Sequence, residues 1–121
     1  MNHALLYIED DDNNISLVQM LLKRRPNIEL HVATNGRDGV QAALDKHPGL
    51  ILLDNRLPDA TGSEILRKLA SATATATIPV VAFSSDSDDI INELLANGAA
   101  ESVAKPFDIH QFMSINDRYL P

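Results

Sequence analysis

Five short apolar runs alternate along the chain with stretches whose apolar residues recur at a spacing near 3.6, and few folds accept that order. The runs read as strands at about 4–8, 28–33, 49–54, 78–83 and 101–104. Between them, Ile15, Val18, Leu21 and Leu22 line one face of a first helix. Val40, Ala43 and Leu44 mark a second, and Ile65, Leu66 and Leu69 a third. Ile90, Ile91, Leu94 and Leu95 mark a fourth, which Asn97-Gly98 should stop. A fifth runs from Asp108 through Ile109, Phe112 and Met113 and is expected to be short. This alternation predicts a parallel sheet with right-handed crossovers and helices on both faces. Residues 50–53 and 79–83 are apolar at every position, as strands buried on both sides must be. Gly36-Arg37-Asp38-Gly39 reads as a turn that starts the second helix. The Ala/Thr-rich connector at 71–77 reads as a mobile surface loop, because Thr disfavours helix. The pattern consumes all 121 residues, so one domain over 1–121 is expected.

Composition removes several function classes. A formal net charge of −7 and a pI near 4.8 argue against a nucleic-acid surface, which needs clustered Lys and Arg. The basic run Lys23-Arg24-Arg25 stands where the first helix should end, where it complements the helix dipole. The chain has no cysteine, which excludes disulfides, thiolate metal sites and thiol nucleophiles. His3, His31, His47 and His110 have no ligand spacing. No apolar run is long enough to span a membrane and no signal peptide opens the chain, so a cytoplasmic location is expected.

The chemistry lies where the strands end. In an open α/β sheet, ligands bind in the crevice beyond the carboxyl ends of the strands. The first strand runs into Glu9, Asp10, Asp11 and Asp12, the third ends on Asp54, and the fifth runs into Lys105-Pro106. Asp11 or Asp12 serves to cap the first helix. Glu9 and Asp10 fall before that helix begins, and near Asp54 they would repel it unless a cation joined them. Oxygen ligands alone favour a hard cation, Mg²⁺ or Mn²⁺. Asp10 and Asp54 are the candidate direct ligands, with Glu9 acting through water. A strand-end Asp can merely cap a turn, but beside these acids and a lysine Asp54 reads as a carboxylate that accepts a phosphoryl group. Lys105 would offer its ammonium to a phosphoryl oxygen or to Asp54, aimed by a turn at Pro106 whose peptide bond can be cis. Ser84 ends the fourth strand and offers a hydroxyl to the same oxygen, leaving Ser85 or Asp86 to cap the fourth helix.

These residues resemble the receiver domain of two-component response regulators over essentially the whole chain, from Leu5 to about Phe112. The resemblance rests on Tyr7-Ile8-Glu9-Asp10, on Leu52-Leu53-Asp54 with Leu57-Pro58 and Gly62, on residues 78–84 ending in Ser84, and on Lys105-Pro106-Phe107. It implies a flavodoxin-like (βα)5 doubly wound parallel sheet in a three-layer sandwich, with strand order 2-1-3-4-5. It also implies phosphorylation of Asp54 by a histidine kinase or histidine phosphotransfer protein, with Mg²⁺ held by Asp10, Asp54 and the backbone carbonyl of Arg56. Such a domain is a switch that signals to a downstream protein rather than a turnover enzyme, without touching nucleic acid or membrane itself. One position departs from the family: Ser102 stands three residues before the lysine, where an aromatic is usual. A haloacid-dehalogenase-like phosphatase also uses a strand-end Asp, Mg²⁺ and Lys, but that class wants an acid two residues after the nucleophile, where this chain has Arg56. A flavodoxin-like cofactor module would need a Gly- and hydroxyl-rich loop after the first strand, where four acids stand instead. With no output segment after the fifth helix, both a stand-alone regulator and a receiver cut from a longer protein fit the pattern.

Overall fold

A computed structural model describes residues 3–84 and 87–120. Strands and helices alternate as β1 (Ala4–Ile8), α1 (Asp12–Leu22), β2 (Glu29–Ala33), α2 (Gly36–Lys46), β3 (Leu50–Asp54), α3 (Gly62–Ser71), β4 (Val80–Ser84), α4 (Asp88–Ala96), β5 (Glu101–Ala104) and α5 (Ile109–Tyr119). The five strands form one parallel sheet in the order β2-β1-β3-β4-β5. That is the flavodoxin-like order expected from the resemblance. β1, β3 and β4 hold the middle and are buried at every position, which explains their unbroken apolar sequence. The edge strand β2 is half-exposed.

Because side chains alternate across a strand, the sheet feeds two cores. Leu5, Tyr7, Leu50, Leu52, Val81 and Phe83 face one way and pack with Val18, Leu21 and Leu22 of α1 and Phe112 and Ile115 of α5. Leu6, Ile8, Ile51, Leu53, Val80 and Ala82 face the other way, against Ala43 of α2, Ile65, Leu66 and Leu69 of α3 and Leu94 of α4. α2 lies so close to β1 that a Cβ on Gly39 would sit 2.7 Å from Ile8 Cδ1, so any larger residue would force the Ile8 side chain to shift.

The helix starts follow from local chemistry. Asp11 caps α1 by accepting from the amides of Asn13 and Asn14. Thr61 with Glu64, and Asp108 with Gln111, form reciprocal capping boxes on α3 and α5. Gly98, at φ +110°, turns the chain after α4 where Asn97-Gly98 was expected to stop it.

Several local expectations are corrected. α5 is not short but spans 11 residues. Gly36 to Gly39 do start the second helix, as its first turn, capped by Asn35. The basic run does begin where α1 ends, with Lys23 as the C-cap, but none of it lies in the last helical turn. Arg25 instead reaches α5, where its Nε and an NH₂ group each donate to the Asp117 carboxylate at 3.1 Å. Leu95 is 43% exposed, because Ile90, Ile91, Leu94 and Leu95 cover a wider arc than α4 can bury. Ser85 and Asp86, expected to cap α4, lie outside the described residues; the N-cap position is Ser87, which makes no side-chain cap bond.

The connector at 71–77 is a series of turns with one firm anchor, not a free loop. Thr75 is buried, and its hydroxyl donates to the Leu69 carbonyl at 2.6 Å, with the Ala72 carbonyl as a longer alternative acceptor at 3.3 Å. The bond to Leu69 satisfies a carbonyl in the last turn of α3, while the Ala72 carbonyl already accepts from the Thr75 and Ala76 amides. Thr75→Val keeps the shape and removes the donor, so it is expected to cost about 1–2 kcal/mol in urea unfolding.

Candidate functional site

The register of the sheet assembles the site. Ile8 pairs with Leu53 across β1 and β3, so Glu9 and Asp54 leave neighbouring strands side by side. Asp54 pairs with Phe83 of β4, and Ser84 pairs with Ala104 of β5, which brings Lys105 to the same end of the sheet. The backbone continues the pairing, with the Lys105 amide donating to the Ser84 carbonyl at 3.0 Å. The Lys105–Pro106 peptide bond is cis.

The side chains converge. Glu9, Asp10 and Asp54 each offer a carboxylate oxygen, and these atoms lie within 4.8 Å of one another. Glu9 is fully buried, Asp54 nearly so, and Asp10 is exposed at the mouth. Lys105 Nζ donates to Asp54 Oδ1 at 2.9 Å and to Glu9 Oε1 at 3.0 Å. Ser84 ends β4 and is buried beside β3. Arg56 is exposed two residues past Asp54 and forms an isolated antiparallel bridge with Thr61.

Burial of like charges sets the electrostatics. Desolvation, with Glu9's negative charge adding to it and the Lys105 ammonium opposing it, pushes the Asp54 carboxyl up from 3.8 to about 6. Glu9 moves the other way. Burial would raise it, but its interaction with Asp54 and the hydrogen bond and charge of Lys105 outweigh that and hold it below the usual carboxylate range. Lys105 is likewise desolvated, yet its bonds to Asp54 and Glu9 keep its ammonium above the ordinary lysine value. The pocket therefore holds one cation against two carboxylates that repel, with a third at its rim.

A hard divalent cation fits this donor set. The ligand atoms are all oxygens, they are close enough to share one ion, and Glu9 Oε2 is buried with no hydrogen-bond partner among the described residues. A buried carboxylate oxygen without a partner is costly, and a metal or its bound water would satisfy it.

Supporting residues that sequence reasoning missed surround the acids. Tyr7 and Asn14 both donate to Glu9 Oε1, at 3.1 and 2.9 Å. Burial, with the charge of Glu9 beside it, pushes the Tyr7 hydroxyl far above the usual phenol range, so it stays a donor. Its signal in the sequence was a polar-tipped ring inside an apolar strand, two residues before Glu9 and so on the same side. The buried Asn55 accepts from the Gly62 amide through Oδ1 at 3.2 Å and through its carbonyl at 2.9 Å, closing the loop after β3 onto α3. Asp59 in that loop accepts from the amides of Gly36 and Arg37 at 2.7 and 3.0 Å, tying it to the start of α2. Ser102, at the departing position, has a buried hydroxyl oxygen with no hydrogen-bond partner among the described residues.

Comparison with known proteins bears on this geometry. The family model described as the response regulator receiver domain matches residues 5–116. The response regulator ArlR of Staphylococcus aureus is 32% identical over 110 residues, which cover 91% of this chain and 49% of that protein. The chain thus spans about half the length of the curated relatives it matches. Among solved structures, the receiver domain of the sensor histidine kinase PA1611 from Pseudomonas aeruginosa PAO1 has a magnesium ion coordinated in its active-site cleft. It superposes with a TM-score of 0.87 at 23% identity, covering 98% of both chains. The phosphorylated cyanobacterial phytochrome response regulator RcpA superposes with a TM-score of 0.82 at 25% identity, covering 98% of this chain and 91% of its own.

Proposed function

This chain belongs to the response regulator receiver domain family, and from that premise we propose that Asp54 accepts a phosphoryl group from a histidine kinase or a histidine phosphotransfer protein. The observation that carries this reading is the Asp54 carboxylate at the end of β3, with Lys105 Nζ at 2.9 Å and two further acids within 4.8 Å.

A carboxylate oxygen of Asp54 attacks phosphorus while the bond from phosphorus to the donor imidazole nitrogen breaks, and the imidazole departs with that electron pair. The product is an acyl phosphate on Asp54. Hydrolysis later places a water oxygen on phosphorus and returns the carboxylate. Such transfer is mostly positioning and charge neutralisation. Mg²⁺, when bound, supplies positive charge to the phosphoryl oxygens. Asp10, Asp54 and the Arg56 carbonyl would hold it directly, and Glu9 through water; the cluster of acids supports such a site, and the receiver domain of PA1611 binds magnesium in its own cleft. Mn²⁺ suits the same oxygens. Lys105 already touches Asp54 and follows the incoming charge by exchanging a carboxylate partner for a phosphoryl oxygen. Ser84, one strand over, donates its hydroxyl to another.

The domain supplies the groups for its own phosphorylation and dephosphorylation, so its role is a signalling switch toward a downstream protein rather than turnover. Among the described residues no helix is long and apolar enough to cross a membrane. The acidic balance of the chain gives no reason for this domain itself to grip nucleic acid.

Incubation with Mg²⁺ and acetyl phosphate, read by intact mass, is expected to add one phosphoryl group, and excess chelator should suppress most of it. A protein that stays unmodified with metal and donor in excess rejects the proposal.

A further inference from the structure

Glu9 is held more tightly, and more asymmetrically, than charge neutralisation requires. Three donors meet on one of its oxygens: Tyr7 Oη at 3.1 Å, Asn14 Nδ2 at 2.9 Å and Lys105 Nζ at 3.0 Å all reach Oε1. The other oxygen, Oε2, is buried and has no partner among the described residues. Random satisfaction of a buried carboxylate would spread donors over both oxygens, because an unmet one costs its full desolvation. Here the cost falls entirely on one atom, in a cluster of acids that suits a hard cation.

We propose that Tyr7 and Asn14 are positioning residues that lock Glu9 by Oε1 and so reserve Oε2 for a divalent cation or the water bound to it. The inference rests on the metal reading given above. The Tyr7 ring is fixed in the core among Leu5, Val18, Leu52 and Phe83, so the direction of its hydroxyl is set by packing rather than by a mobile chain. Asn14 belongs to the first turns of α1, whose start is pinned by the Asp11 cap. Sheet and helix thus grip Glu9 from two independent elements. Lys105 is the third donor, but it is shared with Asp54 and leaves the other two to hold the carboxylate when it moves.

The bland account is that a buried phenol simply takes the nearest acceptor. The two accounts differ in metal affinity. Mn²⁺ alone is titrated against the full chain, with free ion read by its EPR signal, for wild type, Tyr7→Phe and Asn14→Ala, each also made in a Glu9→Gln background. Loss of groups that orient a metal ligand weakens binding by about 10-fold or more. We expect that loss in Tyr7→Phe and a smaller one in Asn14→Ala, and no further loss from either once Glu9 is Gln. Urea unfolding without metal checks that each variant is folded, and Asn14→Ala, at a half-buried position, serves if Tyr7→Phe is not. Wild type that takes up no Mn²⁺ overturns the underlying metal reading. Wild type that binds while both variants bind equally well overturns only the clamp. So does a loss that persists undiminished in the Glu9→Gln background, because the effect would then not pass through Glu9.

Discussion

Asp54→Asn is expected to take up no phosphoryl group from acetyl phosphate and Mg²⁺, and to unfold at higher urea than wild type when metal is absent. The first result follows from chemistry, since an amide has no carboxylate oxygen to form the acyl phosphate. The second follows from the electrostatics of the pocket. The Asp54 carboxyl is raised from 3.8 to about 6, chiefly by burial and then by Glu9, against the opposing pull of Lys105. For an acid raised on folding, the ionised form is the one the fold disfavours. The penalty is complete above about pH 6, shrinks between there and 3.8, and is gone below. Two units correspond to at most about 3 kcal/mol, so a gain of about 1–3 kcal/mol at pH 8 is expected, fading as the pH falls through 6. Phosphoryl label that survives in the variant would move the acceptor elsewhere. A variant less stable than wild type at pH 8 would mean that the bond to Lys105 outweighs the repulsion.

Lys105→Ala should do the reverse to stability and also impair the chemistry. Its ammonium is 2.9 Å from Asp54 and 3.0 Å from Glu9, with those side chains 11% and 1% exposed. Without it two buried carboxylates face each other uncompensated, a loss of about 3 kcal/mol when measured in chelator at pH 8. Mg²⁺ should restore part of that, because it takes the place of the missing cation. Phosphoryl uptake does not recover with it and is expected to fall about 100-fold, the typical cost of removing one charge-stabilising donor. If the variant matches wild type in uptake and in unfolding without metal, the lysine is only a turn residue.

The same residues explain how far the sequence could be read. The central strands were legible because burial on both faces demands unbroken apolar runs, and a parallel register then places successive strand ends together. Thus Glu9, Asp54 and Lys105 could be placed at one end of the sheet before their contacts were known. What stayed hidden depends on partners distant in the chain. Arg25 looked like a helix-end cation, but its partner Asp117 is 92 residues away. Thr75 looked like part of a polar loop, because nothing local tells that its hydroxyl turns inward to Leu69. Tyr7 offers only a polar-tipped ring and Asn14 no site signature of its own in the sequence, and their common target appears only when β1 and α1 are packed. Leu95 misled because apolar residues at 90, 91, 94 and 95 outnumber the places available on one face of α4.

α4 enters the molecule with a shallow hold. Leu94 is its one fully buried residue, Ser87 lends its start no side-chain bond, and Leu95 points to water. By contrast α3 buries five residues behind a capping box. Since the free energy of a local opening tracks the packing that must be undone, α4 is the cheapest helix on its side of the sheet to shift or unravel. A protein that grasped this surface would spend little of its affinity on remodelling it, and a small bias arriving from the neighbouring end of β4 would be enough to redistribute its conformers.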